Sequence, residues 1–157
     1  MRDCSDVRDY LLQEGISHEI VQLSSSASTA QMAADALGVP VGEVVKSLVF
    51  LLDDERPLMA LVTGDATVDT DALAREARVS RAALAKGERV LELTGYRPGA
   101  VPPCALETDV PLIADPSVFL PDVVYCGGGS TTTMLKVRSA DLEALLKPRK
   151  LPIAQRR

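Results

Sequence analysis

The chain has 157 residues, of which 46% are hydrophobic and 25% charged, and its formal net charge is −5. This balance predicts one globular domain and excludes a disordered chain, and the negative charge argues against a protein that coats nucleic acid. Aromatic residues make up only 3% of the chain, too few for a surface that stacks single-stranded bases. No apolar stretch approaches the roughly 20 residues that span a bilayer, so we expect no membrane segment.

Cysteine usage and the first residues indicate the cellular compartment. Cys4, Cys104 and Cys126 are far apart and show no Cys-x-x-Cys spacing. We therefore expect reduced thiols rather than a disulfide framework or a zinc site. Residues 1–6 carry acid and no apolar segment, which predicts no secretory signal and a cytoplasmic protein.

In the first half of the chain, hydrophobic periodicity and turn residues predict two helices, a strand and a hairpin. In chain order these are a helix at 6–13, a strand at 18–23, a helix at 28–36, a helical turn at 42–45, and strands at 46–52 and 58–63. Ser28 with Gln31 three positions later forms a capping-box pattern, so we expect Ser28 to begin the second helix. Gly15 and Gly38 predict where the helices end. The last two strands are joined by the polar turn 53–57 and should form a central hairpin.

The second half continues with short elements of both kinds. We predict a helix at 69–77, a helical segment at 81–94 interrupted at Gly87, strands at 110–114, 123–126 and 132–137, a helical turn from 115, and a helix at 139–146. Asp69 or Thr70 is expected to cap the first of these helices and Ser139 the last. Pro111 indicates that its strand lies at an edge or carries a bulge. This mixture favours a mixed α/β (α+β) fold, a single domain around a curved sheet.

The end of the chain differs in charge from the rest. Lys147, Arg149, Lys150, Arg156 and Arg157 are accompanied by no acidic residue from position 147 onward. We therefore divide the chain into a domain at 1–147 and a basic C-terminal tail at 148–157. A basic tail on an acidic body is suited to contact a phosphate backbone. The alternative, a solvated and frayed end, is the more common case.

The residues exclude several familiar kinds of active site. His18 is the only histidine, and no Gly-x-Ser-x-Gly elbow is present, so we expect no Ser-His-Asp or Cys-His relay. One histidine and scattered thiols provide no zinc or iron ligand set. The triplet Gly127, Gly128 and Gly129 lacks the Lys-Ser/Thr of a Walker motif. We therefore predict neither a metal nor a cofactor.

A lysine, two glycine-bearing loops and the hydroxyls of Thr29, Ser47 and Thr63 remain as candidates for chemistry. Lys46 lies within an apolar strand, where an ammonium is costly unless it is paired or used. Residues 94–103 form a segment rich in Gly and Pro, which allows backbone to approach a ligand closely. The alternatives are a lysine that snorkels to solvent and a plain turn, and on the residues alone they stay open.

A set of short segments gives these candidates a context. The segments are Val45-Lys46-Ser47-Leu48-Val49-Phe50, Leu61-Val62-Thr63-Gly64-Asp65, Leu93-Thr94-Gly95-Tyr96, Gly99-Ala100-Val101-Pro102-Pro103, Ile113-Ala114-Asp115-Pro116-Ser117, the triplet at 127–129, and Asp141-Leu142. In this order they resemble the YbaK family, the free-standing relatives of the editing domain inserted in bacterial prolyl-tRNA synthetases. The similarity runs from about Thr29 to Leu146, and the order of the motifs is more specific than any one of them.

The resemblance implies a fold and an activity. It implies a curved, barrel-like mixed sheet flanked by helices. It also implies a trans-editing hydrolase that deacylates mischarged aminoacyl-tRNA, with a small amino acid such as alanine, cysteine or serine on proline tRNA. The implied partners are the aminoacylated acceptor end of tRNA and prolyl-tRNA synthetase, and family members use no metal.

The resemblance also assigns roles to residues. The family lysine falls on Lys46, whose ammonium is expected to hold the ester carbonyl or a phosphate of the terminal adenosine. Backbone N–H groups of Gly99 and Ala100 are expected to donate to the ester oxygen, and such donors are each worth about 10²–10³ in rate. The predicted catalytic residues are Lys46, Gly99 and Ala100, and the predicted substrate-binding residues are Thr29, Ser47, Thr63, Asp65, Val101, Pro102, Pro103, Gly127, Gly128 and Gly129.

Three positions depart from the family pattern. Pro98 stands where a second glycine often opens the loop, and it removes one N–H donor. Cys104 replaces a larger side chain, which either widens a pocket or leaves room filled from elsewhere. Ala105 stands where glycine is common and would resist a positive φ. These changes affect the expected substrate more than the expected fold.

Two other functions compete with deacylation. The first is a non-catalytic module of the same fold that binds tRNA or a synthetase. The second is a hydrolase for an unrelated small ester. Binding through tRNA phosphates should weaken as salt rises, whereas a small neutral ester should hardly respond.

Overall fold

The structure is a computed structural model that describes residues 1–53 and 55–156. Asp54 of the predicted turn and Arg157 of the predicted tail lie outside the described residues. The α-helices are α1 (Cys4–Gln13), α2 (Ala30–Leu37), α3 (Thr70–Ala77), α4 (Gly87–Thr94) and α5 (Ser139–Leu146), with short 3₁₀ helices at Val41–Glu43 and Pro116–Phe119. The strands are β1 (His18–Gln22), β2 (Val45–Leu52), β3 (Pro57–Thr63), β4 (Thr67–Val68), β5 (Ala82–Leu84), β6 (Leu112–Ala114), β7 (Val123–Gly127), β8 (Thr133–Arg138), β9 (Arg149–Lys150) and β10 (Ala154–Gln155).

The strands form a five-stranded sheet, a three-stranded sheet and a two-stranded pair. The five-stranded order is β5-β2-β3-β6-β9, in which β6 runs parallel to both β3 and β9 while β2 is antiparallel to its neighbours. The three-stranded order is β1-β8-β7, and β4 pairs with β10. An isolated bridge between Val44 and Tyr125 links the two larger sheets. The predicted hairpin of β2 and β3 and the mixed α/β single domain are confirmed, although the described strands do not close into a barrel.

The hairpin has an apolar side chain on both of its faces, because its residues alternate between two cores. One core takes Val45, Val49, Met59 and Leu61, together with residues of α1, α4, β7 and β8. The other core takes Phe50, Ala60 and Val62, together with residues of α3. A period of two places Lys46, the second residue of β2, on the same face of the strand as Phe50. No helix in the described part of the chain has the length and apolar content needed to cross a bilayer.

Two helix caps differ from the sequence-based prediction. The N-cap of α2 is Thr29 rather than Ser28, since the Thr29 hydroxyl accepts the Met32 N–H at 3.1 Å. Ser139 is the first residue of α5 rather than its cap, and its hydroxyl donates to the Pro121 carbonyl. At α2 two adjacent hydroxyl residues are available for the cap and Thr29 takes it, whereas the N-cap of α5, Arg138, makes no side-chain capping bond.

The helical segment predicted at 81–94 is helical only from Gly87. Residues 82–84 form β5, which pairs with the free side of β2 through Leu52, Leu51 and Phe50. Ala82, Ala83 and Leu84 have good helix propensity. They nevertheless adopt an extended conformation, because this allows them to form hydrogen bonds with the otherwise unpaired side of β2.

Within the described residues, the basic segment is not frayed, so that interpretation was wrong for residues 148–156. Its strands β9 and β10 pair with β6 and β4. Ile153 is fully buried, and the Asp115 carboxylate accepts the N–H groups of Ile153 and Ala154, both at 3.0 Å. Because of Pro111, β6 was predicted to lie at an edge or to carry a bulge; it is not at an edge, since it pairs with β9 on one side and β3 on the other, and it begins at Leu112, after the proline.

Candidate functional site

A pocket of about 460 Å³ lies where the first turn of α2, the start of β2 and two loops meet. Small and apolar side chains dominate its wall, and Lys46 is the single charged residue among the described lining residues. The lining residues are Ala27, Ser28, Thr29, Ala30, Gln31, Ala33, Val44, Val45, Lys46, Ser47, Leu48, Gly64, Gly99, Val101, Gly127 and Met134. A lone cation and the amino end of a helix favour a ligand that carries negative or partly negative oxygen atoms.

Lys46 is half-buried at the start of β2, and its ammonium donates a hydrogen bond to the Ala66 carbonyl. Burial lowers the pKa of Lys46 below its ordinary value, while the nearby Asp65 carboxylate acts in the opposite direction. An ammonium has three donors, and one of them is used by Ala66. The arrangement therefore holds the amine at the pocket wall with donors left for a ligand.

The turn that holds Lys46 depends on a close backbone approach. Gly64 donates its N–H to the Val44 carbonyl at 2.7 Å, and Ala66 donates to the Thr63 carbonyl at 3.0 Å. A Cβ at Gly64 would lie 2.6 Å from the Val41 carbonyl oxygen, a distance too short for any side chain. The turn therefore needs glycine at this position, and it presents the Ala66 carbonyl to Lys46.

Ser47 lines the pocket, and its hydroxyl oxygen is buried. It is a buried side-chain oxygen that has no hydrogen-bond partner within residues 1–53 and 55–156. A buried polar atom without a partner costs about 1–3 kcal/mol, so such an atom at a pocket wall is suited to bind a polar atom of a ligand.

The loop after α4 brings backbone N–H groups to the pocket. Gly99 has a φ of +86°, and it lines the pocket together with Val101. Ala100 is buried and donates its N–H to the Arg97 carbonyl at 3.0 Å. The geometry thus keeps Gly99 as a candidate donor, adds Val101, and leaves the N–H of Ala100 occupied.

The glycine triplet packs against backbone rather than opening a second wall of the pocket. Gly127 lines the pocket, and a Cβ there would lie 2.3 Å from the Val101 carbonyl oxygen. Gly128 and Gly129 lie against the backbone of Thr133 and Asp3, and Gly129 donates to the Ala100 carbonyl at 3.0 Å. The triplet therefore fixes the position of the Gly99 loop.

Of the remaining predicted site residues, Thr29 lines the pocket, and Thr63, Pro102 and Pro103 do not. Thr29 also caps α2. Thr63 is buried, and its hydroxyl donates to Asp65 in the turn next to Lys46. Pro102 is buried beside the pocket without lining it, and Pro103 lines a separate cavity.

Two of the departures from the family pattern lie in that separate cavity, beside Tyr10 and Leu146. Ala105 has a φ of +59°, the conformation that was expected to be unfavourable for it. Cys104 is buried, and burial raises the pKa of its thiol to about 12. Cys104 therefore does not shape the pocket of Lys46.

Sequence reasoning missed several residues around Lys46. Ser28 and Gln31 line the pocket from the start of α2, and Met134 lines it from β8. The capping pattern at Ser28 located this helix end but gave no sign that it borders a pocket. Arg156 reaches the Lys46 turn from the end of the chain, and no local pattern predicted that contact.

Other ionisable groups do not form a second candidate centre. The ring of His18 lies away from the pocket, with Nδ1 at 2.9 Å from the Ile16 carbonyl oxygen. Within residues 1–53 and 55–156, no group of three or more His, Cys, Asp or Glu side chains is placed to hold a metal ion.

Comparison with known proteins relates this geometry to a family. A family model described as an aminoacyl-tRNA editing domain matches residues 24–145. The uncharacterized protein YwhH of Bacillus subtilis (strain 168) is 26% identical over 136 residues, which cover 87% of this chain and 86% of YwhH. A proline–tRNA ligase of Shouchella clausii (strain KSM-K16) is 31% identical over 105 residues, which cover 67% of this chain but 18% of the ligase.

Solved structures share the fold over nearly the whole chain. The hypothetical protein APE2540 has a TM-score of 0.90 at 26% identity, covering 96% of this chain and 99% of its own. A candidate trans-editing enzyme for prolyl-tRNA synthetase has a TM-score of 0.89 at 29% identity, covering 97% of this chain and 96% of its own. Since the family model spans most of the chain, the chain belongs to the family of aminoacyl-tRNA editing domains.

Proposed function

We propose that this protein is a free-standing aminoacyl-tRNA deacylase that hydrolyses a small amino acid from mischarged proline tRNA. The observation that carries the proposal is that one pocket is lined by Lys46, by Gly99 and Val101, and by Ser47, whose hydroxyl has no partner among the described residues. Family membership and the similarity to the editing region of proline–tRNA ligases support the same substrate class.

The proposed chemistry needs donors more than it needs a strong base. Water attacks the ester carbonyl carbon, the bond from that carbon to the ribose oxygen breaks, and the ribose oxygen takes up a proton. Negative charge develops on the carbonyl oxygen, and the donors at the pocket wall would stabilise it. Lys46 would hold that oxygen or a phosphate of the terminal adenosine.

The base for the attacking water is proposed to come from the substrate. The described lining residues include no carboxylate and no imidazole. The ribose hydroxyl next to the ester lies within reach of the attacking water in such a substrate, and it would assist the proton transfer. Ala27, Ala30 and Ala33 leave a shallow apolar wall, which suits a small side chain, with alanine first and cysteine or serine next.

Deacylation of Ala-, Cys-, Ser- and Pro-charged proline tRNA, with the wild type and Lys46→Ala side by side, tests the proposal. We expect selective hydrolysis by the wild type and a loss of about 10²–10³ in rate for the variant. Lys136→Ala is the matched control, because Lys136 is a half-buried lysine, like Lys46, that pairs with Glu19 and does not line the pocket. Wild-type protein that leaves every ester intact would contradict the proposal.

A binding module of the same fold is the second candidate. The absence of a carboxylate and an imidazole among the described lining residues favours it. Its partners would be the acceptor end of tRNA or prolyl-tRNA synthetase, and its place of action, like that of the deacylase, would be the cytoplasm. Charged tRNA that is bound by wild type and Lys46→Ala but hydrolysed by neither would select this function, and salt-independent binding would argue against both.

A further inference from the structure

Arg156 contacts the turn that holds Lys46. One guanidinium nitrogen, Nη2, donates to the Thr63 hydroxyl at 3.0 Å and to the Ser117 hydroxyl at 3.2 Å. Nε lies 3.4 Å from the Asp65 carboxylate. One side chain thus bridges the turn after β3 and the 3₁₀ helix after β6.

Each hydroxyl in this cluster has a donor and an acceptor role. Thr63 accepts from Arg156 and donates to Asp65, and Ser117 accepts from Arg156 and donates to Asp115. Asp115 in turn accepts the N–H groups of Ile153 and Ala154, just before Arg156 in the chain. Because the backbone just before Arg156 is held by Asp115 and by the pairing of β10 with β4, its guanidinium differs from that of an isolated surface ion pair, whose ordering cost usually cancels its attraction.

The cluster affects Lys46 through Asp65. Asp65 and Ala66 belong to the same turn, and Ala66 binds the Lys46 ammonium. Asp65 is the charged group, within the described residues, that acts on the pKa of Lys46. The Thr63 hydroxyl and then Arg156 hold the pKa of Asp65 below its ordinary value, so Asp65 is an ionised carboxylate one residue before the Ala66 carbonyl that binds the ammonium. Without Arg156, that carboxylate and the ammonium would compensate each other.

We propose that Arg156 is a positioning residue for Lys46: by holding the Asp65 carboxylate, it leaves the Lys46 ammonium available to a ligand in the pocket. The functional consequence rests on the proposed deacylase activity. The charge arrangement itself does not, and it can be measured in the free protein.

The first test uses rate constants. We expect Arg156→Gln to lower kcat for deacylation by about tenfold or more, because the ammonium turns toward Asp65. Adding Asp65→Asn to that variant should restore most of the loss, and Arg156→Lys should retain more of the rate than Arg156→Gln. Arg149→Gln is the matched control, since it removes the same charge from the same segment but contacts the Glu76 carbonyl instead. An equal loss in Arg149→Gln would overturn the proposal.

The second test needs no activity. NMR spectra of protein with reductively ¹³C-methylated lysines, recorded as a function of pH, would measure the pKa of the Lys46 amine. The Lys46 signal is assigned as the one that is missing in Lys46→Arg. Removing the Arg156 cation and leaving Asp65 uncompensated both favour the charged amine, so Arg156→Gln should raise the pKa of Lys46, and Asp65→Asn in the same chain should lower it again. An unchanged pKa of Lys46 in folded Arg156→Gln would overturn the proposal. If that variant is unfolded, the same comparison with Arg156→Lys decides. Wild-type protein without hydrolysis but with the expected titration would reject the deacylase and keep the role of Arg156.

Discussion

At Lys46, burial and a neighbouring carboxylate act in opposite directions on one ammonium. Lys46 is the second residue of the hydrophobic strand β2 and lines the pocket. The carbonyl of Ala66 fixes its position. A cation held in this way is already oriented before a ligand arrives, which lowers the cost of using it.

Ser47→Ala should separate stability from function. The hydroxyl is buried without a partner in the described part of the chain, so its removal should leave the free energy of unfolding unchanged or raise it by up to about 1 kcal/mol. Deacylation should nevertheless fall, because a polar contact to the substrate is lost. Chemical denaturation and rate measurements on one preparation check both parts. A clear loss of stability would mean that the hydroxyl has an internal partner.

The thiols of Cys104 and Cys126 should be unreactive in the folded protein. Both are buried, and burial raises the pKa of each, to about 12 for Cys104. Since the thiolate is the reactive form, a disulfide reagent at neutral pH should modify Cys4 first and the other two only on unfolding. Cys4→Ser should therefore remove nearly all reaction under native conditions. Rapid modification of that variant would contradict the burial of the other two.

At the scale of elements, the two loops beside the pocket are positioned by each other. Gly129 donates to the Ala100 carbonyl, and Gly127 lies directly against Val101. The end of β7 therefore determines where the Gly99 loop lies, although the two segments are distant in sequence. A substitution in the glycine triplet should therefore displace the Gly99 loop, and the reverse should also hold.

Gly127→Ala should destabilise the protein by about 1–3 kcal/mol, the usual cost of inserting a group into packed structure. The added Cβ would lie 2.3 Å from the Val101 carbonyl oxygen, so backbone must move. Gly42→Ala is the matched control, because its Cβ would have its nearest neighbour at 3.9 Å, the Asp65 carboxylate. Denaturant unfolding of both variants measures the difference, and equal stabilities would show that the loops accommodate the methyl group.

At the scale of the whole molecule, the last described residues close the fold. Strands β9 and β10 extend one sheet and complete the two-stranded pair, and Asp115 anchors the segment between them. Burial raises the pKa of Asp115, but hydrogen bonds from Ser117, Ala154 and Ile153 outweigh it and hold the pKa below its ordinary value. A carboxylate thus links the end of the chain to the centre of the sheet.

Asp115→Asn should lower the free energy of unfolding at neutral pH by about 1–3 kcal/mol, since hydrogen bonds to a charged acceptor are lost or weakened. A folded pKa below the unfolded value means that the ionised group stabilises the protein above the ordinary aspartate pKa of about 3.9. That contribution disappears as pH falls through the folded pKa. The wild type should therefore lose stability more steeply than the variant below about pH 4. Parallel acid-unfolding curves would refute this role.

Sequence alone determined the features whose causes lie within a few residues. The helices that end at Gly15 and Gly38, the hairpin of β2 and β3, and the cap at Asp69 follow from periodicity and turn chemistry. The order of short motifs was enough to indicate the family. It also placed Lys46, Ser47, Thr29 and Gly99 among the site residues, and all four line the pocket.

Only the tertiary structure decided the features that depend on distant partners. Residues 82–84 extend because β2 has an unpaired side, and the N–H of Ala100 is unavailable because Arg97 accepts it. Arg156 reaches Asp65 across 91 positions of sequence, and the segment that carries it is ordered by pairing with β4 and β6. Such contacts leave no periodic pattern in the chain, because a hydrogen bond between remote residues depends on where folding brings them and not on their neighbours in sequence.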